Sequence, residues 1–206
     1  MSIITESELV TRAKAGDQDA FEQLVRDNEK RIYNLALRMV GSPEDALDLS
    51  QEAFLNAWKG LASFQGNSSF STWLYRLASN ACLDFLRARK RRQAAMGPPL
   101  SLDDADAAPP PADERFQPDL QLACRERASA LRRAMDALPP HHRQVLVLRE
   151  LSGLSYQELS DVLQLDMGTV KSRLTRARVS LKKILYEDGN FFSPTSSIPT
   201  KATERK

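Results

Sequence analysis

A segment of 24 residues near the C-terminus constrains the fold of this chain more than any other feature. It runs from Ser155 to Arg178 and combines a short apolar-periodic stretch, a tight turn and a second periodic stretch rich in cations. Ser155 and Glu158 have the spacing of a capping box, which predicts the start of a first helix. Apolar residues recur at helical spacing in both stretches, so each helix is expected to bury one face in a shared core. This layout is typical of a helix-turn-helix, whose second helix enters the major groove of DNA.

The polar residues around the second helix are candidates for contact with duplex DNA. Arginine can bind guanine through two parallel hydrogen bonds, and Ser or Thr can reach base edges or phosphates. Gln164 occupies the turn position where glycine is frequent, so a slight rearrangement of the turn is expected. The alternative is a solvated basic face on an ordinary helical hairpin. The candidates are Ser155, Thr169, Lys171, Ser172, Arg173, Thr175, Arg176 and Arg178.

Composition excludes several classes of protein. No apolar run of about eighteen residues exists, so no membrane insertion is expected, and the acidic N-terminus lacks a signal-peptide layout. These features predict a cytoplasmic protein. Cys82 and Cys124 are isolated, and the adjacent His141 and His142 cannot face one ligand from a helix. We therefore expect no metal site, no cofactor and no small-molecule substrate.

A proline-rich segment divides the chain. Residues 96–118 hold six of the eleven prolines and five acidic residues against one arginine, which predicts a flexible acidic linker. It separates a unit of residues 1–95 from a basic unit of residues 119–186, which has twelve Lys and Arg against seven Asp and Glu. Both units show helical periodicity without strand alternation, so the predicted fold is all-α, with two small helical domains. Residues 187–206 are predicted to be a disordered tail.

The predicted helix from about Ser42 to Leu61 combines two kinds of side chain. Apolar anchors lie beside an acidic edge at helical spacing, which would suit docking of a basic helical partner. The alternative is a core helix with a solvated back. The side chains in question are Leu47, Phe54 and Trp58 for the apolar part, and Asp45, Asp48 and Glu52 for the acidic part.

The following loop and helix place aromatic residues among small polar ones and lead into a basic run at residues 87–92. Aromatic side chains interleaved with cations and amides suit stacking and edge-reading of unpaired bases. The alternative for the two loop phenylalanines is that they fasten the loop to the core. The candidate residues for this second nucleic-acid surface are Phe64, Asn67, Ser68, Phe70, Thr72, Trp73, Tyr75, Arg76 and Asn80.

Four stretches, in this order, resemble bacterial RNA polymerase sigma factors. They are Asp45–Phe54, Phe70–Asn80, Leu138-Pro139 and Gly168–Leu174. The short chain and two-unit plan resemble the extracytoplasmic-function (ECF) group of the sigma-70 family, and the resemblance covers residues from about 8 to 185.

This resemblance implies a promoter-specificity subunit. Asp48, Gln51 and Glu52 would be the principal contacts to the clamp helices of the largest subunit of core RNA polymerase, and the β flap would be a further contact. The loop 64–71 would capture a flipped base of the minus-ten element, with Trp73 and Asn80 at the upstream end of that element. Lys171, Ser172, Arg173 and Arg176 would read the minus-35 element.

The family plan also implies that the acidic linker threads toward the RNA exit channel. An anti-sigma factor would hold such a protein inactive, and the regulated genes would belong to a stress or envelope response.

Two other function classes were weighed. A stand-alone promoter-binding regulator would explain residues 140–183 but would leave the aromatic loop and the acidic helix without a purpose. The two classes differ in whether specific DNA binding requires core polymerase. An enzyme has little support, because no nucleophile with an acid–base pair, phosphate-binding glycine loop or metal cluster appears in the sequence.

Overall fold

The computed structural model describes residues 4–96 and 118–187, and these parts of the chain are helical without any strand. The predicted flexible linker and disordered tail fall, apart from their end residues, outside the described residues. The helices are α1 (Glu6–Lys14), α2 (Gln18–Val40), α3 (Pro43–Gly60), α4 (Phe70–Met96), α5 (Pro118–Ala137), α6 (Pro140–Leu146), α7 (Tyr156–Leu163) and α8 (Met167–Glu187). A 3₁₀ turn, Leu61–Ser63, follows α3, and a π-helical turn, Val147–Leu151, extends α6.

Side-chain and glycine caps define the helix boundaries in the N-terminal unit, and the predicted start at Ser42 is confirmed. The Thr5 side chain accepts a hydrogen bond from the Glu8 amide, and that of Ser42 accepts one from the Asp45 amide. Gly41 ends α2 with a left-handed backbone (φ 79°), a conformation that glycine adopts without steric cost. Each cap satisfies backbone groups that the helix itself leaves unpaired.

Helices α2, α3 and α4 form the N-terminal core, and α1 packs on α2. The buried face of α3 consists mainly of small residues, which lets its backbone approach its neighbours closely. The largest buried side chains come instead from α2 and α4. This face of α3 comprises Ala46, Leu49, Ser50, Ala53 and Ala57.

The two units pack against each other, which the sequence analysis did not predict. Helix α4 contacts α6 and α7, and α2 contacts the π-helical turn. Leu148, Leu159 and Val162 belong to the same buried cluster as the core of α2, α3 and α4. A second, smaller cluster lies between α6 and α8 and includes Leu146 and Leu174.

Arg143 is the polar centre of this contact between the units and is only 5% exposed. Its guanidinium donates to the Met39 carbonyl oxygen at 2.7 Å and to the Asp136 carbonyl oxygen at 2.6 Å, and it pairs with the Asp136 carboxylate at 2.9 Å. Burial lowers the pKa of Arg143 from its ordinary value. In addition, Arg38 of α2 donates a hydrogen bond to the Leu151 carbonyl oxygen. These hydrogen bonds connect the end of α2 to both α6 and the π-helical turn.

Candidate nucleic-acid and docking surfaces

The segment α7–turn–α8 forms the predicted helix-turn-helix. Ser155 and Glu158 make a reciprocal capping box: the Glu158 amide donates to Ser155 Oγ at 3.2 Å, and the Ser155 amide donates to Glu158 Oε2 at 2.7 Å. These hydrogen bonds lower the pKa of the Glu158 carboxyl. The turn does not rearrange to avoid Gln164, which adopts the left-handed conformation itself (φ 53°). Its side chain donates to the Asp161 carbonyl oxygen at 2.6 Å, which supports this less common backbone.

The start of α8 is fixed by Asp166, a cap that the sequence analysis missed. Its carboxylate accepts hydrogen bonds from the Thr169 amide at 2.9 Å and from the Thr169 hydroxyl at 2.6 Å, and these bonds lower its pKa. The signal was present, since Asp three residues before Thr169 is a favoured N-cap arrangement. Thr169 and Ser155, both predicted DNA contacts, therefore use their hydroxyls within the fold.

The remaining predicted residues of α8 lie outside its buried stripe of Val170, Leu174 and Ala177. Most are exposed or half-buried and have only weak side-chain partners; the Arg176 guanidinium, for example, is 3.4 Å from Ser172 Oγ. Arg178 differs, because it pairs with Glu150 at 2.5 Å and holds α8 against the π-helical turn. Among the predicted contacts, the exposed ones are Lys171, Thr175 and Arg176, and the half-buried ones are Ser172 and Arg173.

Two histidines lie beside these cations. The rings of His141 and His142 are 4.5 Å apart between centroids. Desolvation lowers the pKa of each; the neighbouring His142 and then Arg173 add to the effect at His141, and Arg173 and Arg176 add to it at His142. Sequence reasoning considered the histidines only as metal ligands and missed this placement near α8.

The aromatic residues predicted for the second nucleic-acid surface are packed rather than exposed. Phe64, Phe70 and Trp73 are buried, with the Phe64 ring 4.9 Å from Trp73 and 6.2 Å from Phe70 between centroids. Thr72 is buried too, and its hydroxyl lies 2.7 Å from Ser69 Oγ. For the two loop phenylalanines, the structure therefore favours the alternative in which they fasten the loop to the core, and Trp73 and Thr72 belong to the same packed region. Removing their apolar surface from water lowers the free energy of the folded state, which favours burial.

Polar side chains of the same region remain accessible. Asn67 and Asn80 are exposed, and Ser68, Tyr75 and Arg76 are half-buried. Residues 64 to 70 are called the 64–70 loop below. At the tip of this loop, the Asn67 side chain donates to the Gln65 side chain at 3.2 Å. This loop therefore offers amides and hydroxyls on an aromatic foundation.

The exposed face of α3 carries the predicted docking residues. Leu47, Leu55 and Trp58 are 50%, 58% and 39% exposed, although they are large and apolar. Trp58 packs on Phe21 of α2 at 4.8 Å between ring centroids. A groove of about 540 Å³ separates the two helices; it is lined by Gln18, Phe21, Val25, Gln51, Phe54, Leu55 and Trp58.

The acidic part of the prediction lies on the same helix. Asp48, Gln51 and Glu52 are exposed, and Asp45 is half-buried. Leu55 and the α2 side of the groove were missed, because only the packing of α2 on α3 brings them together. Exposed apolar side chains on one face are typical of a surface that binds another protein.

Other chemistry finds little support in the described residues. Residues 4–96 and 118–187 contain no group of three His, Cys, Asp or Glu side chains placed to hold a metal ion. Burial raises the pKa of the Cys82 thiol to about 12, so this thiol is protonated and unreactive; the side chain of Cys124 lies outside the described part. No helix in the described ranges has the length and apolar character needed to cross a membrane.

Comparison with known proteins identifies both units. The family described as Sigma-70 region 2 matches residues 24–92, and the family described as Sigma-70, region 4 matches residues 128–181. The RNA polymerase sigma-H factor of Pseudomonas aeruginosa is 36% identical over 184 residues, covering 87% of this chain and 93% of the relative. The ECF RNA polymerase sigma-E factor of Escherichia coli is 38% identical over 188 residues, covering 86% and 93%.

Solved structures agree with these relatives. CnrH in complex with the cytosolic domain of CnrY matches with a TM-score of 0.59 and 27% identity, over 87% of this chain and 96% of that one. The sigma factor RpoE of Bartonella quintana, in complex with the anti-sigma factor NepR, also gives 0.59 and 27%, over 82% and 98%. The predicted all-α, two-domain fold and the family resemblance are both confirmed, and this chain belongs to the sigma-70 family as an ECF sigma factor.

Proposed function

We propose that this chain binds core RNA polymerase through the exposed face of α3 and directs it to promoters with two separate DNA surfaces. The 64–70 loop captures an unpaired base of the minus-ten element, and α8 reads the minus-35 element. The observation that carries the proposal is the α3 face, since a stand-alone DNA-binding protein has no use for Leu55 and Trp58 in solvent beside Asp48 and Glu52.

The chemistry of each surface supports this division of work. Lys171, Arg173 and Arg176 can reach phosphates and guanine edges from α8, which suits duplex DNA. The 64–70 loop and Asn80 offer amide groups that can hydrogen-bond the edge of a base taken out of the stack. Each surface is small, so we infer that polymerase supplies affinity by holding the two units at the required spacing.

Control by an anti-sigma factor is part of the proposal. Two similar proteins were solved with partners, one named as the anti-sigma factor NepR and the other as the cytosolic domain of CnrY. We propose a partner of this kind for the present chain, acting in a stress or envelope response. The α3 groove, with its apolar lining and acidic neighbours, suits a basic amphipathic helix from such a partner.

A reconstituted run-off assay tests the proposal. Purified chain, bacterial core polymerase and DNA carrying the upstream region of its own gene are combined, and transcripts are mapped. Discrete start sites that require both proteins are expected. No transcript together with no core binding in a parallel pull-down would favour the stand-alone regulator.

A pair of variants makes the docking surface testable. Leu55→Arg places a cation on the α3 face and should reduce core binding at least tenfold without changing the melting temperature. Gln23→Arg adds the same charge to an exposed position of α2 away from the groove and should leave core binding unchanged. Equal core binding by the two variants would contradict the assignment of the α3 face.

A further inference from the structure

Helix α1 lies outside both matched family regions, yet it contacts the 64–70 loop at both of its ends. Nothing in the sequence pattern assigns this helix a role beyond covering part of the core. Its contacts with the loop are made by two charged side chains, Glu6 and Lys14, eight residues apart. At 1.5 Å per residue they are separated by about 12 Å along the helix axis, enough to reach the two ends of a short loop.

Lys14 contacts the beginning of the loop. Its ammonium group donates a hydrogen bond to the Phe64 carbonyl oxygen and lies 5.7 Å from the centroid of the Phe64 ring. Phe64 is itself buried against Trp73, so its side chain is fixed by the core and its carbonyl by Lys14. A hydrogen bond from a charged donor is stronger than one between neutral groups.

Glu6 contacts the end of the loop. Its carboxylate accepts a hydrogen bond from the Phe70 amide at 3.0 Å, at the first residue of α4. The Thr72 amide, two residues further, is satisfied by Ser69 Oγ at 3.0 Å. A carboxylate at the start of a helix also interacts favourably with the helix dipole. Glu6 thereby fixes the point at which the loop becomes helical.

Helix α1 is held firmly enough to act as a support. Leu9, Val10 and Ala13 are buried against the N-terminal core. The ion pair between Arg12 and the Asp17 carboxylate at 2.8 Å lies at the surface and adds little to this support, because water screens exposed ion pairs. Between the two attachment points, Asn67 donates to the Gln65 side chain at 3.2 Å and Ser68 Oγ donates to the Ser69 carbonyl oxygen at a long 3.4 Å, while Gly66 takes a left-handed backbone (φ 74°).

We propose that Glu6 and Lys14 are positioning residues that hold the 64–70 loop in the conformation needed to capture a base of the minus-ten element. This inference rests on the proposed function of that loop. A loop that is ordered before it binds loses less conformational entropy on binding, so affinity and base discrimination both increase. The two residues touch the loop backbone and act through it on Asn67 and Ser68.

The test uses holoenzyme reconstituted from core polymerase and the full chain. Its probe is a set of single-stranded oligonucleotides with the minus-ten sequence of a mapped promoter, each carrying one of the four bases at the captured position. Lys14→Gln removes the charge and leaves an amide donor one bond too short to reach the Phe64 carbonyl oxygen, and Glu6→Ala removes the acceptor. Lys14→Arg and Glu6→Gln retain a donor or an acceptor. Arg12→Ala, which removes another charge from α1 on a side directed to Asp17, is the matched control.

We expect Lys14→Gln and Glu6→Ala to bind the preferred oligonucleotide about three- to tenfold more weakly, the range for loss of one net hydrogen bond. The preference among the four bases should narrow by a similar factor. Lys14→Arg should restore most of both. Arg12→Ala should bind within about twofold of the unchanged chain, and core binding should be the same for all variants.

Three outcomes would overturn the inference. If Lys14→Gln resembles Arg12→Ala in both affinity and base preference, the loop does not depend on α1. If Lys14→Gln loses core binding in the same proportion as oligonucleotide binding, its role is general stability. If the unchanged holoenzyme shows no base preference while run-off transcription proceeds, base capture by the loop is itself wrong, and the role of α1 falls with it.

Discussion

The two candidate DNA surfaces differ in how their residues are placed. On α8, the cations predicted as readers are exposed or half-buried, whereas the aromatic residues predicted for the minus-ten surface are buried in the core. The reason is physical. A cation opposite a buried apolar stripe has no place in the core, so its exposure follows from helical spacing. An aromatic ring gains about 1.5–3 kcal/mol on burial, so polar neighbours in sequence do not keep it in solvent.

This difference separates residues whose substitution changes stability from residues whose substitution changes DNA recognition. The proposed minus-ten surface lies on the buried rings of Phe64, Phe70 and Trp73. We expect removal of these rings mainly to lower the free energy of unfolding. Lys171 and Arg176 can be removed with little change in the fold. Even on α8 the division is incomplete, since Arg178 pairs with Glu150 and Thr169 is bonded to Asp166.

The largest effect is expected for Phe70→Ala. Phe70 is 2% exposed and packs on both Phe64 and Trp73, so its loss leaves a cavity that costs about 3–5 kcal/mol of unfolding free energy. Urea denaturation followed by circular dichroism measures the change. The control Asn80→Ala alters an exposed residue of the same helix and should lie within about 0.5 kcal/mol of the unchanged chain. If Phe70→Ala were as stable as the unchanged chain, the burial of Phe70 would be contradicted and the exposed loop aromatic considered from the sequence would be favoured.

A smaller effect, of the opposite kind, is expected for Arg176→Ala. Its unfolding free energy should change by less than about 0.5 kcal/mol, because its hydrogen bond to Ser172 is long and exposed. Binding of holoenzyme to duplex with the minus-35 element should weaken by about 1–3 kcal/mol if Arg176 reads a base. Arg178→Ala is the comparison, and its effect on DNA binding should be smaller because Glu150 already engages that arginine. Equal losses would show that the ion pair opens on DNA.

The smallest effect concerns pH. Both histidines of the chain belong to the C-terminal unit, and their folded pKa values are lowered below the ordinary value of 6.5. The unfolded chain therefore binds more protons than the folded chain between the two pKa values. Stability is fully present above about pH 6.5 and declines as pH falls toward the folded values. Urea midpoints from about pH 8 to about pH 5.5 should show this decline. A chain with His141→Asn and His142→Asn should show a shallower one, and an unchanged slope would assign the effect to other groups.

The parts of the fold that local sequence determines were predictable. Ser42 and the Ser155–Glu158 pair each act on backbone groups within four residues, so spacing alone located the starts of α3 and α7. The helix-turn-helix and its buried stripe followed from the same short-range rules. The exposed apolar and acidic residues of α3 were predictable in part, but the place of Leu55 in the groove was not, because the groove needs α2 beside it.

The contacts between distant residues were not predictable from this single sequence. Arg143 follows two prolines and two histidines, a setting that favours an exposed cation, yet its guanidinium bonds the Met39 carbonyl 104 residues away. A role for helix α1 was likewise not predictable, because it depends on the contacts that Glu6 and Lys14 make with the 64–70 loop. Backbone carbonyl and amide groups are common to all residues, so the partners of these charges could be found only from the structure.

The packing of the two units has a consequence for promoter access. Elements named for positions minus 10 and minus 35 are about 25 base pairs apart, or ~85 Å of straight duplex at 3.4 Å per base pair. In the present structure, which we call the closed form, helices α4 and α7 are in direct contact, so one molecule in this form cannot reach both elements. Under the proposed function, only molecules in which the two units have separated bind the whole promoter. The apparent affinity for the promoter is therefore proportional to the fraction of such open molecules. A partner that stabilised only this closed form would silence the chain without covering a single DNA-binding residue.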